Sequence, residues 1–253
     1  MTKTASVVLA CATQVPARLF ERSTLLGRSL QSFPEPLRPR LCLLAENRGE
    51  GAMGLAAFYN RVLDELRLDQ SGFDQRSSEE AQDDAIVVFI HDDVYLHDWN
   101  LGIHLNRALS VFDVVGVVGS ANVPFGQPGW WHGLDGEGMP RRNDAVIRSG
   151  SINHFDPVLV RPDLYGPSPL ACDLLDGVFL AARLACLRAR GVRFDPQFTF
   201  HCYDTDFCYT ARASGLRLGT WPIPLTHGSG GGFDQAWVRA AQQLQAKLIP
   251  AAP

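Results

Sequence analysis

Three short segments of the sequence carry residue types that could perform chemistry, and the first reads VFIHDDVYL. A hydrophobic run ends there in His91 and two adjacent carboxylates, Asp92 and Asp93. Imidazole and carboxylate groups could hold a divalent cation such as Mg²⁺ or Mn²⁺, which would offset the repulsion between the acids. The alternative is a pair of solvated loop acids, because charged side chains are mostly exposed.

The second segment, FDPQFTFHCYDTDFCYTARASG, contains two acids at the start of a predicted helix. The dipole at a helix N-terminus favours anions, which alone explains one of Asp204 and Asp206. Aromatic neighbours add a second interpretation, because Phe200, Tyr203 and Phe207 would partly desolvate the Asp204 carboxylate. Desolvation raises the pKa of a carboxyl group, so Asp204 could act as a general base.

The third segment, PLTHGSGGGFDQ, places His227 between a predicted strand and a Gly-rich loop. A lone histidine is more often structural than a ligand. Backbone N–H groups of the loop could bind phosphate oxygens. The spacing matches neither a Walker A loop nor a GxGxxG fingerprint.

Strands and helices alternate in the first half of the sequence and would position these segments. ASVVLACA, RLCLLAE, AIVVFI and DVVGVVGSA predict strands, with helices over residues 17–31, GAMGLAAFYNRVLDEL and DWNLGIHLNRAL between them. This order predicts right-handed crossovers and a mostly parallel central sheet flanked by helices, an α/β fold. Ligands of such sheets bind at the carboxyl ends of the strands, where Asp92 and Asp93 follow the third strand.

The second half begins with a long segment rich in Gly, Pro and Trp, residues 122–169, of a kind that commonly forms binding loops. Trp130 and Trp131 within it could stack on a ligand or pack in the core, and the sequence favours neither. Strands and helices resume after it. We expect one domain over residues 1–253.

Composition excludes several classes of protein. The chain has 253 residues, a formal net charge of -4 and 46% hydrophobic residues, which is typical of a globular protein and not of a general nucleic-acid binder. The apolar run near Met1 is short for a secretory leader and no other run is long enough to span a bilayer, so we expect neither feature. The six cysteines lack CxxC spacing and are expected to be reduced, in a cytoplasmic protein or one peripheral to the inner membrane.

In their order along the chain, these segments resemble those of the GT-A glycosyltransferases of family 2, in particular the branch related to the streptomycin-biosynthesis StrF protein. FIHDDV resembles the DxD-like element FxHxDV of that branch. LLDGVFLAAR, FDPQF, YDTDFCYTARASG and TWPIPLTHGSGG resemble its later segments, and ENRGEGAMGLAAFYNRVLD an earlier one. The resemblance spans roughly residues 6–232. It implies a GT-A fold with a nucleotide-sugar-binding half (about 1–120), an acceptor and catalytic half (about 121–232), and a C-terminal helix and tail (233–253).

The resemblance also implies roles for individual residues on the donor side. Asp93, with Asp92 beside it, matches the acid that binds the diphosphate of a nucleotide-sugar donor through Mn²⁺ or Mg²⁺. His227 matches the residue that completes the metal site. His91 stands where the family has the first acid, as a third potential ligand.

Further matches concern the nucleobase, the base and the acceptor. Glu46 or Asn47 falls where the family places an acid near the nucleobase, although ENRGEG replaces the usual DDGSxD. Asp204 matches the catalytic base of inverting members, with Tyr203 in place of the usual Glu. The residues implied on the acceptor side are Asp176, Gly177, Trp130, Trp131 and Tyr203.

The function that follows is transfer of a sugar from a nucleotide-sugar donor to a hydroxyl of a glycan or small-molecule acceptor, with inversion. A nucleotidyltransferase is a rival, but it would show a Gly-rich basic loop after the first strand, where this chain reads ACATQVPARL. A catalytically silent nucleotide- or glycan-binding domain is the second rival, and it would have little need of a base at Asp204.

Overall fold

The order of helices and strands follows the expected alternation up to the fourth strand and departs from it afterwards. The computed structural model describes residues 6–68, 85–154, 161–230 and 232–249, so the expected tail at 250–253 lies outside the described residues. Its α-helices are α1 (Ala17–Ser23), α2 (Leu25–Ser32), α3 (Leu55–Leu68), α4 (Leu101–Val111), α5 (Leu184–Ala189), α6 (Tyr203–Ala213) and α7 (Gln235–Leu248). Its strands are β1 (Val7–Ala12), β2 (Arg40–Leu44), β3 (Ile86–Ile90), β4 (Val94–Leu96), β5 (Val114–Gly116), β6 (Val118–Ala121), β7 (His132–Leu134), β8 (Pro140–Arg142), β9 (Ile147–His154), β10 (Arg161–Gly166), β11 (Leu170–Cys172), β12 (Leu174–Leu175), β13 (Phe179–Arg183), β14 (Leu218–Thr220) and β15 (Leu225–His227).

The central sheet is mixed. Its seven described strands have the order β11-β14-β5-β13-β3-β1-β2. β1 pairs in parallel with β2 and β3, as expected, and β14 pairs in parallel with β5. β13 is antiparallel to both β3 and β5, and β11 is antiparallel to β14. The prediction of a mostly parallel sheet is therefore wrong for half of these pairs. β13 enters the central sheet from β12 of a second sheet through residues 176–178, without the crossover helix that usually joins parallel strands.

Two segments that the sequence predicts as single strands each contribute to two different sheets. The described order of the second sheet is β12-β6-β9-β15-β4, with β10 paired to β9. The segment DVVGVVGSA contributes β5 to the central sheet and β6 to this one, because the chain passes between sheets at Val117. The segment ending at His227 divides in the same way into β14 and β15.

The core lies on both faces of the central strands. Val87 and Phe89 of β3 belong to one buried apolar cluster, and Ile86, Val88 and Ile90 belong to the other. Every residue of β3 is buried. Strands covered on both faces read as continuous hydrophobic runs, which explains why AIVVFI shows no alternation.

The helix predicted over residues 17–31 is two helices, because the chain turns at Thr24. The Thr24 hydroxyl accepts a hydrogen bond from the Gly27 amide (2.9 Å) and caps α2. A Cβ at Gly27 would lie 2.2 Å from the Phe20 carbonyl oxygen, so the close approach of α1 and α2 requires glycine.

Two observations bear on the expected cellular environment. The six cysteines are free thiols. Within the described parts of the chain, no helix combines the length and the apolar character needed to cross a bilayer.

Candidate active site

A cavity of about 920 Å³ brings together residues from all three chemically interesting segments. Its volume lies within the range of roughly 300–1,000 Å³ that is usual for small-molecule sites. The predicted site residues in its wall are His91, Asp92, Asp93, Trp130, Trp131, Asp176, Gly177, Tyr203, Asp204 and His227.

Strand pairing explains how distant segments meet there. The chain leaves β3 at Ile90, and β13 runs antiparallel beside it, so the amino end of β13 lies at the carboxyl end of β3. The His91 amide accordingly donates to the Val178 carbonyl (3.4 Å). β15 pairs with β4 so that the Gly228 amide donates to the Asp93 carbonyl (2.7 Å), which places His227 beside Asp93.

His91, Asp93 and His227 form the one cluster of potential metal ligands found among the described residues, with ligand atoms that all lie within 4.8 Å of one another. His227 Nε2 lies 3.3 Å from Asp93 Oδ1 and 3.2 Å from Ser229 Oγ. Burial would raise the pKa of Asp93, but hydrogen bonding and charge from His227 lower it to about 2. Burial would lower the pKa of His227, but the Asp93 carboxylate outweighs it and the net shift is upward.

Two consecutive hydrogen bonds determine which ring nitrogen of His91 carries the proton. Its Nε2 lies 2.8 Å from the Tyr203 hydroxyl, and that hydroxyl donates to the Gly177 carbonyl (3.0 Å). The hydroxyl has a single proton, so His91 Nε2 is the donor in the first bond and Nδ1 keeps its lone pair. Burial lowers the pKa of His91, which favours the neutral ring that metal binding requires.

Asp204 lies in the first turn of α6 and has a pKa raised to about 6, first by burial and then by the charge of Asp176. Gly177 donates its amide to Asp204 Oδ2 (2.9 Å). Tyr203 is buried, whereas the side chain of Phe200 is 61% exposed. The pKa of Asp204 is therefore shifted upward as expected, although Phe200, one of the aromatic residues expected to cover it, is itself largely exposed.

The two tryptophans of the irregular segment line the cavity, and both are half-buried. Trp130 donates from Nε1 to Asp176 Oδ2 (2.7 Å), and the Val178 amide donates to Asp176 Oδ1 (2.8 Å). Trp130 also packs against the buried apolar clusters, so it fits both interpretations at once. The centroid of the Trp131 ring lies 5.8 Å from that of Tyr165.

Two of the remaining donor-side candidates, Asp92 and Asn47, form side-chain hydrogen bonds within the protein. Asp92 accepts from the Thr13 hydroxyl (2.5 Å), which ties it to the end of β1. Asn47 bonds through its side chain to both the amide and the carbonyl of Met53 (2.7 and 2.8 Å). Glu46 is exposed, and neither it nor Asn47 is among the described residues that line the cavity. Their role near a nucleobase stays a prediction.

Several cavity residues were not anticipated from the sequence. They are Thr13 behind Asp92, and Arg142, Arg148, His154 and Tyr165 in the wall. His154 ends β9 in parallel register with His227, and the two ring centroids lie 6.0 Å apart. A histidine at the end of SINHF was the available signal, but it had no meaning before the strand pairing was known.

Comparison with known proteins gives only distant likenesses. No protein-family profile and no curated protein matches the chain. TarS 1-349 of S. aureus in complex with UDP is 13% identical, with 98% of this chain and 66% of that chain covered and a TM-score of 0.48. GalNAc-T7 with UDP, GalNAc and Mn²⁺ is 11% identical, with 96% and 48% covered and a TM-score of 0.49. A197 from STIV is 11% identical, with 86% and 82% covered and a TM-score of 0.44. TarS and GalNAc-T7 are glycosyltransferases, but likenesses this distant do not define a function for this chain.

Proposed function

We propose that this chain is an inverting, metal-assisted glycosyltransferase of the GT-A type, in the family 2 branch that its segments resemble. It transfers a sugar from a nucleoside diphosphate sugar to an acceptor hydroxyl. The observation that carries the proposal is the presence, in one cavity, of a cluster of three potential metal ligands and a separate carboxyl group whose pKa is raised to about 6. A leaving diphosphate needs the first, and an attacking hydroxyl needs the second.

The cluster fits a divalent cation held by His91, Asp93 and His227. Two imidazoles and one carboxylate suit Mn²⁺ better than Mg²⁺, because Mg²⁺ prefers an all-oxygen shell. The hydrogen bond from His91 to Tyr203 orients the ring as outer-shell partners of metal ligands do. A bound cation would neutralise charge on the departing diphosphate.

Asp204 takes the proton in the proposed step. The acceptor oxygen forms a bond to the anomeric carbon while the bond from that carbon to the diphosphate oxygen breaks. The electron pair leaves with the diphosphate, and the hydroxyl proton moves to Asp204. The Gly177 amide donates a hydrogen bond to Oδ2 of Asp204, and this bond sets the direction in which Oδ1 points.

The two sides of the cavity receive the two substrates. Asp92 and Asp93 belong to the donor side, with Glu46 or Asn47 near the nucleobase. Asp176, Gly177 and Tyr203, together with the indole rings of Trp130 and Trp131, belong to the acceptor side. This division matches the proposed halves of the chain at about residue 120.

Binding of nucleoside diphosphates tests the donor assignment directly. Isothermal titration with UDP, GDP, ADP and CDP should give binding of at least one of them, stronger with Mn²⁺ than with Mg²⁺. His227→Ala should remove the Mn²⁺-dependent part of the affinity, because the cluster keeps only two ligands. No binding of any nucleoside diphosphate under either condition would refute the assignment.

Substitution of the base tests the chemistry. Asp204→Asn keeps the size of the side chain and one oxygen that can accept a hydrogen bond, but it removes the base. The variant should therefore bind nucleoside diphosphates normally and transfer sugar at least about 10²-fold more slowly. Asp206→Asn is the control, since Asp206 lies in the same helical turn but outside the cavity wall, and urea unfolding checks that both variants are folded because Asp206 also pairs with Lys247. Equal transfer rates for the two variants would mean that Asp204 only stabilises the start of α6.

The two rivals predict different results from the same measurements. A silent binding domain would bind a nucleoside diphosphate and show neither transfer nor donor hydrolysis. A nucleotidyltransferase would release pyrophosphate from a nucleoside triphosphate.

A further inference from the structure

Two arginines in the cavity wall share one aromatic ring. Arg142 at the end of β8 and Arg148 on β9 place their guanidinium carbons 4.4 and 4.5 Å from the centroid of the Trp131 ring. Cation–π contact holds both guanidinium groups in place while leaving their N–H donors unused.

Neither arginine has an ion-pair or side-chain hydrogen-bond partner among the described residues. The nearby carboxylates are otherwise engaged: Asp163 lies 3.4 Å from His154 Nε2, and Asp176 accepts from Trp130. Asp144 accepts from Trp131 Nε1 at 3.4 Å. Arginines elsewhere in the fold do have carboxylate partners, as Arg193 has in Asp64 and Arg212 in Asp173.

The uncompensated charge affects its surroundings. Burial and then the charge of Arg142 lower the pKa of His132 to about 4, so this neighbouring ring stays neutral at physiological pH. The cavity wall thus carries this cationic pair together with the carboxyl groups of Asp92, Asp93, Asp163, Asp176 and Asp204.

The arginine pair and the metal cluster lie beside different parts of β9. Arg148 precedes His154 by six residues on β9, about 20 Å of strand at roughly 3.3 Å per residue. His154, in turn, is in register with His227 of the cluster. The separation along β9 favours a group other than the metal-bound diphosphate as the ligand of the arginines, and UDP binding by the double variant tests this point.

We propose that Arg142 and Arg148 bind a phosphate or carboxylate group carried by the acceptor. The assignment rests on the proposed glycosyltransferase function, since it names the class of acceptor as acidic. Two guanidinium groups offer the paired donors that phosphate and carboxylate oxygens accept, and Trp131 holds them side by side in the cavity wall.

The test compares three ligands that share one sugar skeleton: glucose 6-phosphate, glucuronate and glucose. Binding to the full chain is followed by equilibrium dialysis, alongside titration of UDP with Mn²⁺. The wild-type chain should bind at least one of the two anionic sugars about tenfold or more tightly than glucose, which corresponds to one charge-assisted contact. Arg142→Gln/Arg148→Gln should abolish that preference. Arg141→Gln is the matched control, because Arg141 is a neighbour on β8 that does not line this cavity.

The possible results distinguish failure of the anion site from failure of the proposed glycosyltransferase function. The inference is supported if the double variant still binds UDP but no longer prefers the anionic sugars. The anionic sugar that the wild-type chain prefers then shows whether the site takes a phosphate or a carboxylate. Weaker UDP binding in the double variant would assign the arginines to the donor and overturn the inference. Equal affinity for all three sugars would also overturn it and leave the donor site untouched. Anionic preference without binding of UDP, GDP, ADP or CDP would keep the anion site and refute the glycosyltransferase.

Discussion

A carboxyl group with a pKa of about 6 must lose its proton before it can accept one from a substrate, so Asp204 makes a prediction about pH. Burial raises this pKa, and the group is therefore protonated below pH 6 and ionised above it. Transfer should fall about tenfold for each pH unit below 6 and level off above it.

The measurement is kcat/KM against pH with Mn²⁺ saturating at each point. Saturation matters because the raised pKa of His227 lets protons compete with a metal for its ring as the pH falls. A profile that is flat from pH 5 to pH 7 would contradict the assignment of Asp204 as the base.

The connection between β12 and β13 is the element that sets the geometry of the base. A Cβ at Gly177 would lie 2.4 Å from the Tyr203 hydroxyl oxygen and 2.8 Å from Asp204 Cβ. Gly177→Ala should therefore displace the start of α6, lower the free energy of unfolding by about 1–3 kcal/mol and abolish most transfer. Urea unfolding and a transfer assay measure the two effects.

Gly133→Ala provides the matched control for that variant. Gly133 lies on β7, and the nearest atom to its added Cβ would be Gln127 Cγ at 3.9 Å, an ordinary contact. Its stability and transfer rate should stay close to those of the wild type. A Gly177→Ala variant that behaves like Gly133→Ala would show that the turn has more room than this geometry allows.

At the scale of the whole molecule, α7 is joined to α6 by a buried charge. Lys247 of α7 donates to Asp206 Oδ1 (2.6 Å) and to Asp195 Oδ2 (2.8 Å). Asp206 is fully buried, whereas the side chain of Lys247 is 35% exposed. Lys247→Met should cost about 2 kcal/mol, less than a fully buried pair because water screens the lysine.

The loss should depend on pH in a defined direction. Burial raises the pKa of Asp206, and Lys247 opposes that rise, so without Lys247 the folded state favours the protonated carboxyl more strongly. A raised folded-state pKa means that stability declines as pH rises. Urea unfolding of Lys247→Met should show a larger deficit at pH 8 than at pH 5, and adding Asp206→Asn should remove the difference.

The sequence alone was sufficient for features that depend on neighbours along the chain. The hydrophobic run of β3 predicted a strand buried on both faces, and its abrupt end placed His91 and Asp93 at the sheet edge. Aromatic residues around Asp204 predicted a raised carboxyl pKa. Such features follow from local hydrophobicity and from the position of polar residues relative to it, so they can be read without tertiary contacts.

Only the tertiary structure decided how the segments meet. The antiparallel direction of β13, the register of His154 against His227 and the gathering of Arg142 and Arg148 around Trp131 all depend on strand pairing between distant residues. Local periodicity is the same for parallel and antiparallel neighbours and says nothing of register between distant strands. The strand that ends in two acids could therefore be predicted from the sequence, whereas the residues that face it across the cavity could not.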